Sequence, residues 1–361
     1  MEIIDADGHV NDHACGDEIA AYMPKGNQMA KLFPEFDHLH FRYLKQNRRT
    51  TGNPSPDDWN RFLDNTGIGR TVLYPTAGLA VGRIIAPEWA VVACSAYNKW
   101  LYEKFLNKNY RLKGMALIPL QDIDAAVDEL RRAVKELGML GGMLPSNGEA
   151  IQGHLGSKIY WPLYAEAEAL GCSLAVHVGC LHHLGLDSFS TYYAAHALGH
   201  PFSLMVQCAA MLAHGVFDRF SNLRVAFLEG GATWVPFMMD RLDRSYHHGH
   251  MQLDLQGNLI GGPAHGETAR EYFVKQLRKG RIFAGFDCDD DGLNTAVEKA
   301  GRQAFLFGSD FPHEVFDAAK CRHEIDELLE RTDLTKEDKE AVLGGNAVSF
   351  YGSALQQDPL L

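Results

Sequence analysis

Short runs of apolar or β-branched residues alternate along this chain with segments whose apolar residues recur at helical spacing. The runs have the length of strands, and their nearly continuous apolar character indicates strands that are buried on both faces. In chain order the predicted strands are residues 2–10, 71–75, 113–119, 139–145, 172–178, 223–229, 281–286 and 304–309. Most of these strands are followed by a predicted helix.

The predicted helices carry recognisable start and stop signals. Pro87 suits the first turn of one helix, and Asp122 and Gly138 suit the N-cap and the C-terminal end of the next. The predicted helices are residues 87–107, 122–138, 158–170, 203–213, 233–246, 293–300, 317–331 and 335–343.

Eightfold repetition of a strand and a helix predicts an α/β fold, a closed (β/α)₈ TIM barrel with a parallel sheet, rather than an open doubly wound sheet. No GxGxxG or GxxxxGK(S/T) motif follows a strand, which weakens the dinucleotide-binding and P-loop alternatives. We expect one domain over residues 1–361 with two insertions. Residues 11–69, rich in proline and aromatic side chains, would form a lid after the first strand. Glycine-rich residues 247–279 would form a second insertion before the seventh strand.

Composition narrows the possible partners. The 361 residues include 34 basic and 46 acidic ones, giving a net charge of −12, and no Lys/Arg run is longer than Arg48-Arg49. This balance argues against a nucleic-acid or anionic-membrane surface, so a small-molecule substrate is expected. The N-terminus enters a strand directly, which predicts no signal peptide and a cytoplasmic location. The seven cysteines form no CxxC pair and are expected to be buried and reduced.

Imidazole and carboxylate side chains follow several predicted strands. Asp7 and His9 end the first strand and, two residues apart, point to the same side of it. Taken alone, such a pair more commonly caps and solvates a strand end. His177, Glu229, Asp287 and Asp310 come at or just after the ends of later strands. In a barrel these ends meet at one mouth, where clustered carboxylates would repel each other unless a divalent cation neutralised them.

Taken in order, these motifs resemble one known family. The pattern consists of DxH in the first strand, VHVG at 176–179, FLEGGATWVP at 227–236 followed by MDRLD, and GSDFPH at 308–313. Together they resemble the amidohydrolase superfamily, in particular the amidohydrolase-related branch that includes aminocarboxymuconate semialdehyde decarboxylase and resorcylate decarboxylase. The resemblance spans Ile3 to about Tyr351 and implies a barrel that binds one divalent metal ion, Zn²⁺ or Mn²⁺.

The resemblance also implies a set of metal ligands, namely Asp7, His9, His177 and Asp310. The branch more often has histidine or glutamate in place of Asp7, and the shorter carboxylate would favour oxygen-preferring metals such as Mn²⁺. A second departure is Glu229, which stands where the decarboxylases of the branch carry a histidine.

Three residues are candidate catalytic groups. Asp310 would bind the metal and take the proton of a water molecule whose pKa the metal lowers. Glu229, its pKa raised by neighbouring carboxylates, would act as a general acid or orient the substrate, although a helix-dipole partner is an equally good interpretation. His313, three residues after Asp310, would contact the substrate or orient a ligand.

Two reactions remain open for such a site. Because Glu229 replaces the histidine, the sequence favours hydrolysis of an amide, a lactone or an activated C–C bond in a small aromatic or unsaturated compound. The alternative is non-oxidative decarboxylation of an aromatic or unsaturated carboxylate, and a further alternative is a metal-binding barrel without turnover. The resemblance also suggests a homo-oligomer, either a dimer or a tetramer.

Overall fold

A computed structural model of the chain describes residues 1–25, 32–36, 53–149, 151–249, 253, 260–313 and 317–357. Its strands are β1 (Ile3–Val10), β2 (Ile68–Pro75), β3 (Leu112–Gly114), β4 (Ala116–Leu117), β5 (Gly141–Pro145), β6 (Ser173–His177), β7 (Val225–Leu228), β8 (Ile282–Phe286) and β9 (Phe305–Phe307). Neighbouring strands pair in parallel, β1 to β3 in one group and β4 to β9 in another. The predicted parallel α/β barrel is confirmed.

The two groups of strands meet at Met115, which separates β3 from β4. On one side the Met115 amide donates to the carbonyl of Leu73, and on the other the Leu140 amide donates to the carbonyl of Gly114. β3 and β4 therefore act as one interrupted strand between β2 and β5, so the nine segments occupy eight strand positions.

The ring closes where the first strand meets the segment after the last one. The Asp310 amide donates to the carbonyl of Asp7 over 2.9 Å, and the His9 amide donates to the carbonyl of Phe311 over 2.7 Å. These two bonds link residues at the carboxyl end of β1 to residues just beyond β9. The closure thus lies at the end of the barrel that carries the candidate site.

Helices surround the strands. They are α1 (Gly16–Ala20), α2 (Pro56–Thr66), α3 (Pro87–Leu101), α4 (Ile123–Glu136), α5 (Trp161–Leu170), α6 (Tyr192–Ala213), α7 (Val216–Arg219), α8 (Trp234–Gly249), α9 (Ala269–Arg278), α10 (Leu293–Ala300), α11 (Ala318–Glu330), α12 (Lys336–Glu340) and α13 (Asn346–Tyr351). Short 3₁₀ segments cover Asp12–Cys15, Ala77–Arg83, Lys158–Tyr160, Arg302–Ala304 and Ser353–Gln356, and π-turns cover Tyr102–Leu106 and Ala341–Gly345. None of the helices in the described ranges has the length and apolar character needed to cross a membrane.

Several helical segments differ from the prediction, with α2, α6 and α9 the longest among them. Helix α2 lies in the predicted lid and α9 in the predicted second insertion, yet both begin with a capping box, Ser55 with Asp58 and Thr268 with Glu271. Helix α6 begins at Tyr192 instead of residue 203 and continues through Pro201. Gly199 and Pro201 would ordinarily predict a break in the helix. In the structure the helix continues through both residues, and Gly199 packs directly against Leu181, which leaves no room for a Cβ atom.

The described parts of the predicted lid are firmly attached to the barrel. Trp59 of α2 is fully buried, and its ring packs edge-on against Phe62 and Phe311 at 5.8 and 4.8 Å. Phe33 and Phe36 are buried as well. Residues 26–31 and 37–52 of the predicted lid lie outside the described residues, so the lid itself stays a prediction.

The packing of Trp59 makes a testable prediction about stability. We expect Trp59→Ala to lower the free energy of unfolding by roughly 3–5 kcal/mol, because a large buried ring leaves a cavity that its neighbours cannot fill. Urea denaturation followed by circular dichroism measures the change. Arg61→Ala on the same helix, where the side chain is 69% exposed, is the matched control and should change stability by less than about 0.5 kcal/mol. Equal denaturation midpoints for the two variants would contradict the assigned packing.

Candidate active site

The end of β1 places two polar side chains at the mouth of the barrel. Asp7 and His9 are both buried, and His9 Nε2 lies 3.3 Å from Asp7 Oδ1. His9 Nδ1 lies 2.8 Å from the carbonyl oxygen of Pro75 and donates to it, which turns Nε2 toward Asp7. Gly8 is required between them, because a Cβ atom there would lie 2.4 Å from Thr71 Oγ1 and 2.8 Å from the Trp59 ring.

His177, at the end of β6, approaches Asp7 from the opposite side of the barrel. Its Nδ1 donates to the carbonyl of Val178 over 2.9 Å, and its Nε2 lies 3.1 Å from Asp7 Oδ1. Burial opposes the charged form of this imidazole, but the carboxylates of Asp7 and Glu229 outweigh burial and raise the pKa of His177 to about 9. Burial likewise favours a neutral Asp7, yet His177 and His9 hold the pKa of this carboxyl below its usual value.

Asp310 brings a second carboxylate to the same place. It follows β9 with a left-handed backbone, φ 53°, and its Oδ1 lies 3.5 Å from His9 Nε2 and 2.7 Å from Nδ1 of His313. A non-glycine residue in this conformation costs on the order of 1–3 kcal/mol and is often found at functional sites.

These groups fit a divalent cation. One ligand atom each from Asp7, His9 and His177 lies within 4.8 Å of the others, and the same is true of His9, Asp310 and His313. Nε2 of His9 is buried and has no hydrogen-bond partner among the described residues. Two imidazole nitrogens and carboxylate oxygens facing one point are ligands that Zn²⁺ and Mn²⁺ accept. Asp7, His9 and His177 thus form one such group, and Asp310 belongs to a second group that shares His9 with the first.

His313 is held by contacts on both of its nitrogens. Nε2 lies 2.8 Å from Thr76 Oγ1, and that hydroxyl already donates its proton to the carbonyl of Val10. Nε2 therefore donates to Thr76. Nδ1 faces carboxylate oxygens of Asp310 at 2.7 Å and Glu229 at 3.9 Å, so the arrangement suits a ring that carries a proton on each nitrogen.

The pKa of Glu229 differs from the predicted one. It also has a left-handed backbone, φ 66°, and its carboxylate lies 3.6 Å from Nδ1 of His177. Burial would raise the pKa of Glu229, but His200, His313 and His177 outweigh burial and hold it well below the ordinary value. This direction is opposite to the expected raised pKa, because Glu229 faces imidazoles and not only carboxylates.

The helix-dipole interpretation of Glu229 is not supported either. Helix α8 begins five residues later, at Trp234, and the Ala232 amide that precedes it donates to Asp290 Oδ2 over 2.6 Å. In the described residues a carboxylate of Asp290, and not of Glu229, accepts from the backbone just before this helix.

Sequence reasoning missed Asp5, a fully buried carboxylate in β1. Its Oδ1 accepts from the amides of Asp7 and Ser309, and its Oδ2 accepts from the hydroxyls of Thr71 and Ser309. Burial raises the pKa of Asp5 to about 6, although the four hydrogen bonds favour the charged form. The alternation Asp5-x-Asp7-x-His9 was a signal that three polar side chains share one side of this strand.

A cavity of about 300 Å³ opens above these residues. Its walls include Phe36, Thr76 and three side chains of α6, Tyr192, His196 and His200. The α6 histidines were not among the predicted site residues, since an isolated histidine is more often structural. Their i, i+4 spacing was the available signal.

Other polar residues complete the cavity. Asp287, which follows β8, lines it, and burial together with the nearby Asp310 and Glu229 carboxylates raises the pKa of Asp287 well above its usual value. All seven cysteines are buried and free, as predicted. Cys288 and Cys321 reach the cavity wall, but burial raises the pKa of Cys288 well above its usual value, so a nucleophilic role is not indicated.

Comparison with known proteins gives a consistent result. The family model described as amidohydrolase matches residues 4–353. The chain is 28% identical over 298 residues to 2-amino-3-carboxymuconate-6-semialdehyde decarboxylase of Dictyostelium discoideum, covering 82% of this chain and 76% of that protein. It is 25% identical to gamma-resorcylate decarboxylase of Polaromonas sp. strain JS666, covering 81% and 85%.

Solved structures share the fold. A dihydroxybenzoic acid decarboxylase from Polaromonas sp. JS666, determined with manganese and the inhibitor 2-nitroresorcinol, superposes with a TM-score of 0.71 at 19% identity. The match covers 97% of this chain and 96% of that one. At this level of identity the likeness concerns the architecture alone.

The convergence of ligand atoms predicts specific metal binding. We expect the protein dialysed against Mn²⁺ or Zn²⁺ and then against metal-free buffer to retain about one ion per chain. His9→Ala and His177→Ala should each lose most of it, because each removes one nitrogen ligand. Inductively coupled plasma mass spectrometry measures the content. His214→Ala, which removes a half-buried histidine paired only with His154 in the described ring contacts, is the control. Full retention of the ion by both His9→Ala and His177→Ala would contradict the assignment of these residues as metal ligands.

Proposed function

This chain belongs to the amidohydrolase family, and on that premise we propose that it is a metal-dependent decarboxylase of a small aromatic or unsaturated carboxylic acid. The two curated relatives named above are decarboxylases. They support the alternative reaction better than the hydrolysis that the sequence favoured. Glu229 weighed toward hydrolysis only because it replaces a histidine, and its surroundings remove that argument.

The observation that carries the proposal is the hydrogen bonding of His313. Its Nε2 donates to Thr76, and its Nδ1 faces Asp310 at 2.7 Å. A ring with a proton on each nitrogen is a proton donor and a poor base. Decarboxylation needs a proton delivered to carbon, whereas hydrolysis needs a base that takes a proton from water. The arrangement therefore favours decarboxylation.

Asp7, His9, His177 and Asp310 would hold one divalent ion. When bound, that ion would bind substrate oxygens and stabilise the negative charge that develops on them. Its placement beside the His313–Asp310 pair would hold the substrate carbon next to a proton donor. The aromatic and apolar wall of the cavity, including Phe36 and Leu79, suits a flat organic acid.

The chemical step balances with the groups present. The substrate carbon that bears the carboxylate takes the proton of His313 Nδ1, so a C–H bond forms and the imidazole becomes neutral. The C–C bond to the carboxylate then breaks, its electron pair stays on the substrate carbon, and CO₂ leaves. Glu229, ionised and within 3.9 Å of His313 Nδ1, stabilises the protonated imidazole before transfer and orients His177 from the other side.

The reaction type can be tested directly. We expect the Mn²⁺-loaded protein to release CO₂ from at least one member of a panel of hydroxybenzoic acids and unsaturated dicarboxylic acids. One CO₂ should form for each substrate molecule lost, and chelator treatment should abolish release. A carbonate-coupled assay and chromatography of the products measure both quantities. Metal-dependent hydrolysis of a parallel panel of lactones and amides, with no CO₂ from any acid, would overturn the proposal.

Glu229→Gln tests the role of the glutamate. The substitution keeps the shape of the side chain but removes the charge near His177 and His313, so we expect kcat to fall at least about tenfold, equivalent to roughly 1.4 kcal/mol, with metal content unchanged. Glu267→Gln, which affects an ion pair with Lys275 outside the cavity, is the control and should leave kcat unchanged. Wild-type turnover by Glu229→Gln with its metal intact would remove this residue from the mechanism.

A further inference from the structure

The ring of His313 is held by a residue from a distant part of the chain. His313 follows β9, and its Nε2 lies 2.8 Å from Oγ1 of Thr76, the residue directly after β2. The His313 ring also lies against the His9 ring, with centroids 3.8 Å apart and an interplanar angle of 32°. The contact with Thr76 therefore joins two segments that are 237 residues apart in the sequence.

The direction of this hydrogen bond is fixed by the other contact of the hydroxyl. Thr76 Oγ1 lies 2.9 Å from the carbonyl oxygen of Val10 and donates its single proton to it. The same oxygen can then only accept from His313, so Nε2 carries a proton. The hydrogen bond made by one imidazole nitrogen decides which nitrogen stays protonated when the ring is neutral. Nδ1 is therefore the nitrogen whose proton can leave.

Thr76 is itself held in place by Asp12. This carboxylate is buried and accepts from three successive backbone amides, those of Thr76 and Gly78 over 2.9 Å and that of Ala77 over 2.5 Å. The Thr76 amide also lies 3.1 Å from the carbonyl oxygen of Val10. A β-branched side chain has few χ1 rotamers, so a fixed backbone also fixes the direction of the Thr76 hydroxyl.

The Thr76 contact differs from two other contacts of the His313 ring. Asp310 on Nδ1 and the His9 ring both belong to candidate metal ligands, so an ion bound there would share these groups. The Thr76 hydroxyl, by contrast, is engaged only with Val10 and His313 in the described hydrogen bonds. It is therefore a reference point for the ring that does not depend on the ion.

We propose that Thr76 is a positioning residue for His313. Its hydroxyl accepts from Nε2 and holds the ring with Nδ1 toward Asp310, so the proton delivered to the substrate carbon leaves from Nδ1. A proton from solvent water replaces it on the same nitrogen. Turning the ring over between the two steps would break the bond to Thr76. The inference rests on the proposed function for the role of His313, but the hydrogen bond itself does not require turnover.

Nuclear magnetic resonance tests the hydrogen bond without any substrate. The sample is Zn²⁺-loaded protein with ¹⁵N in its histidine rings, and the signal of the His313 Nε2 proton is assigned by its loss in His313→Gln. We expect this signal in the wild type and in Thr76→Ser, which keeps a hydroxyl acceptor. Thr76→Val has nearly the same shape but no acceptor, so the His313 Nε2 proton should exchange with water and lose its signal.

Steady-state kinetics test the consequence for the reaction. With Mn²⁺-loaded protein and the acid that releases CO₂ fastest, we expect Thr76→Val to lower kcat about tenfold or more and to change KM less than about twofold. Thr76→Ser should restore most of the lost kcat. Thr295→Val makes the matched change at an exposed threonine of α10 outside the cavity lining, and it should behave as the wild type in both measurements. Mass spectrometry of the metal confirms that all variants are equally loaded.

The outcomes separate this inference from the proposed function. Loss of the Nε2 proton signal in Thr76→Val, together with a lower kcat that Thr76→Ser restores, supports the positioning role. A signal that is absent from the wild type or unchanged in Thr76→Val overturns it. An unchanged kcat, or a fall in kcat that Thr76→Ser does not restore, overturns it as well. Protein that shows the predicted signals but releases no CO₂ from any acid retains the hydrogen bond between His313 and Thr76 and contradicts only the decarboxylase proposal.

Discussion

The seam between the first strand and the segment after the last one is the constraint on which the candidate site depends. Asp5 accepts four hydrogen bonds there, two of them from Ser309, while the Asp310 amide donates to the carbonyl of Asp7. Three of the four candidate metal ligands, Asp7, His9 and Asp310, lie at this seam. A shift in its pairing would separate them even if every other strand stayed in place. The four hydrogen bonds of the buried Asp5 carboxylate therefore help to hold the candidate metal ligands in position.

Backbone strain is concentrated at the same mouth. Glu229 and Asp310 both have positive φ angles and both follow the end of a strand. This conformation is unfavourable for residues with a side chain, and the cost is offset by contacts that only the folded barrel supplies. In each case the turn aims a carboxylate at His313, which lies 2.7 Å from Asp310 and 3.9 Å from Glu229. Two strained turns therefore place two charges around one imidazole.

Much of the architecture could be predicted from the sequence because its signals are local. Apolar runs located the strands within a few residues. The positions of polar residues at strand ends nominated Asp7, His9, His177, Glu229, Asp287 and Asp310, and the family resemblance selected four of them as metal ligands. Properties that depend on distant neighbours were not accessible in this way. The charge state of Glu229 is set by His200, His313 and His177, which are remote in sequence. Helix α6 begins at Tyr192 and continues through Gly199 and Pro201, although local propensity predicts a break there.

The central claim is that side chains from separate strands hold one divalent ion beside His313. Anomalous diffraction from crystals grown with Mn²⁺ tests it most directly, because the anomalous signal locates manganese independently of the protein density. A single strong peak per chain within bonding distance of Asp7, His9, His177 and Asp310 is the predicted result. Fully loaded protein with its manganese peak elsewhere, or with these side chains turned away from it, would contradict the account.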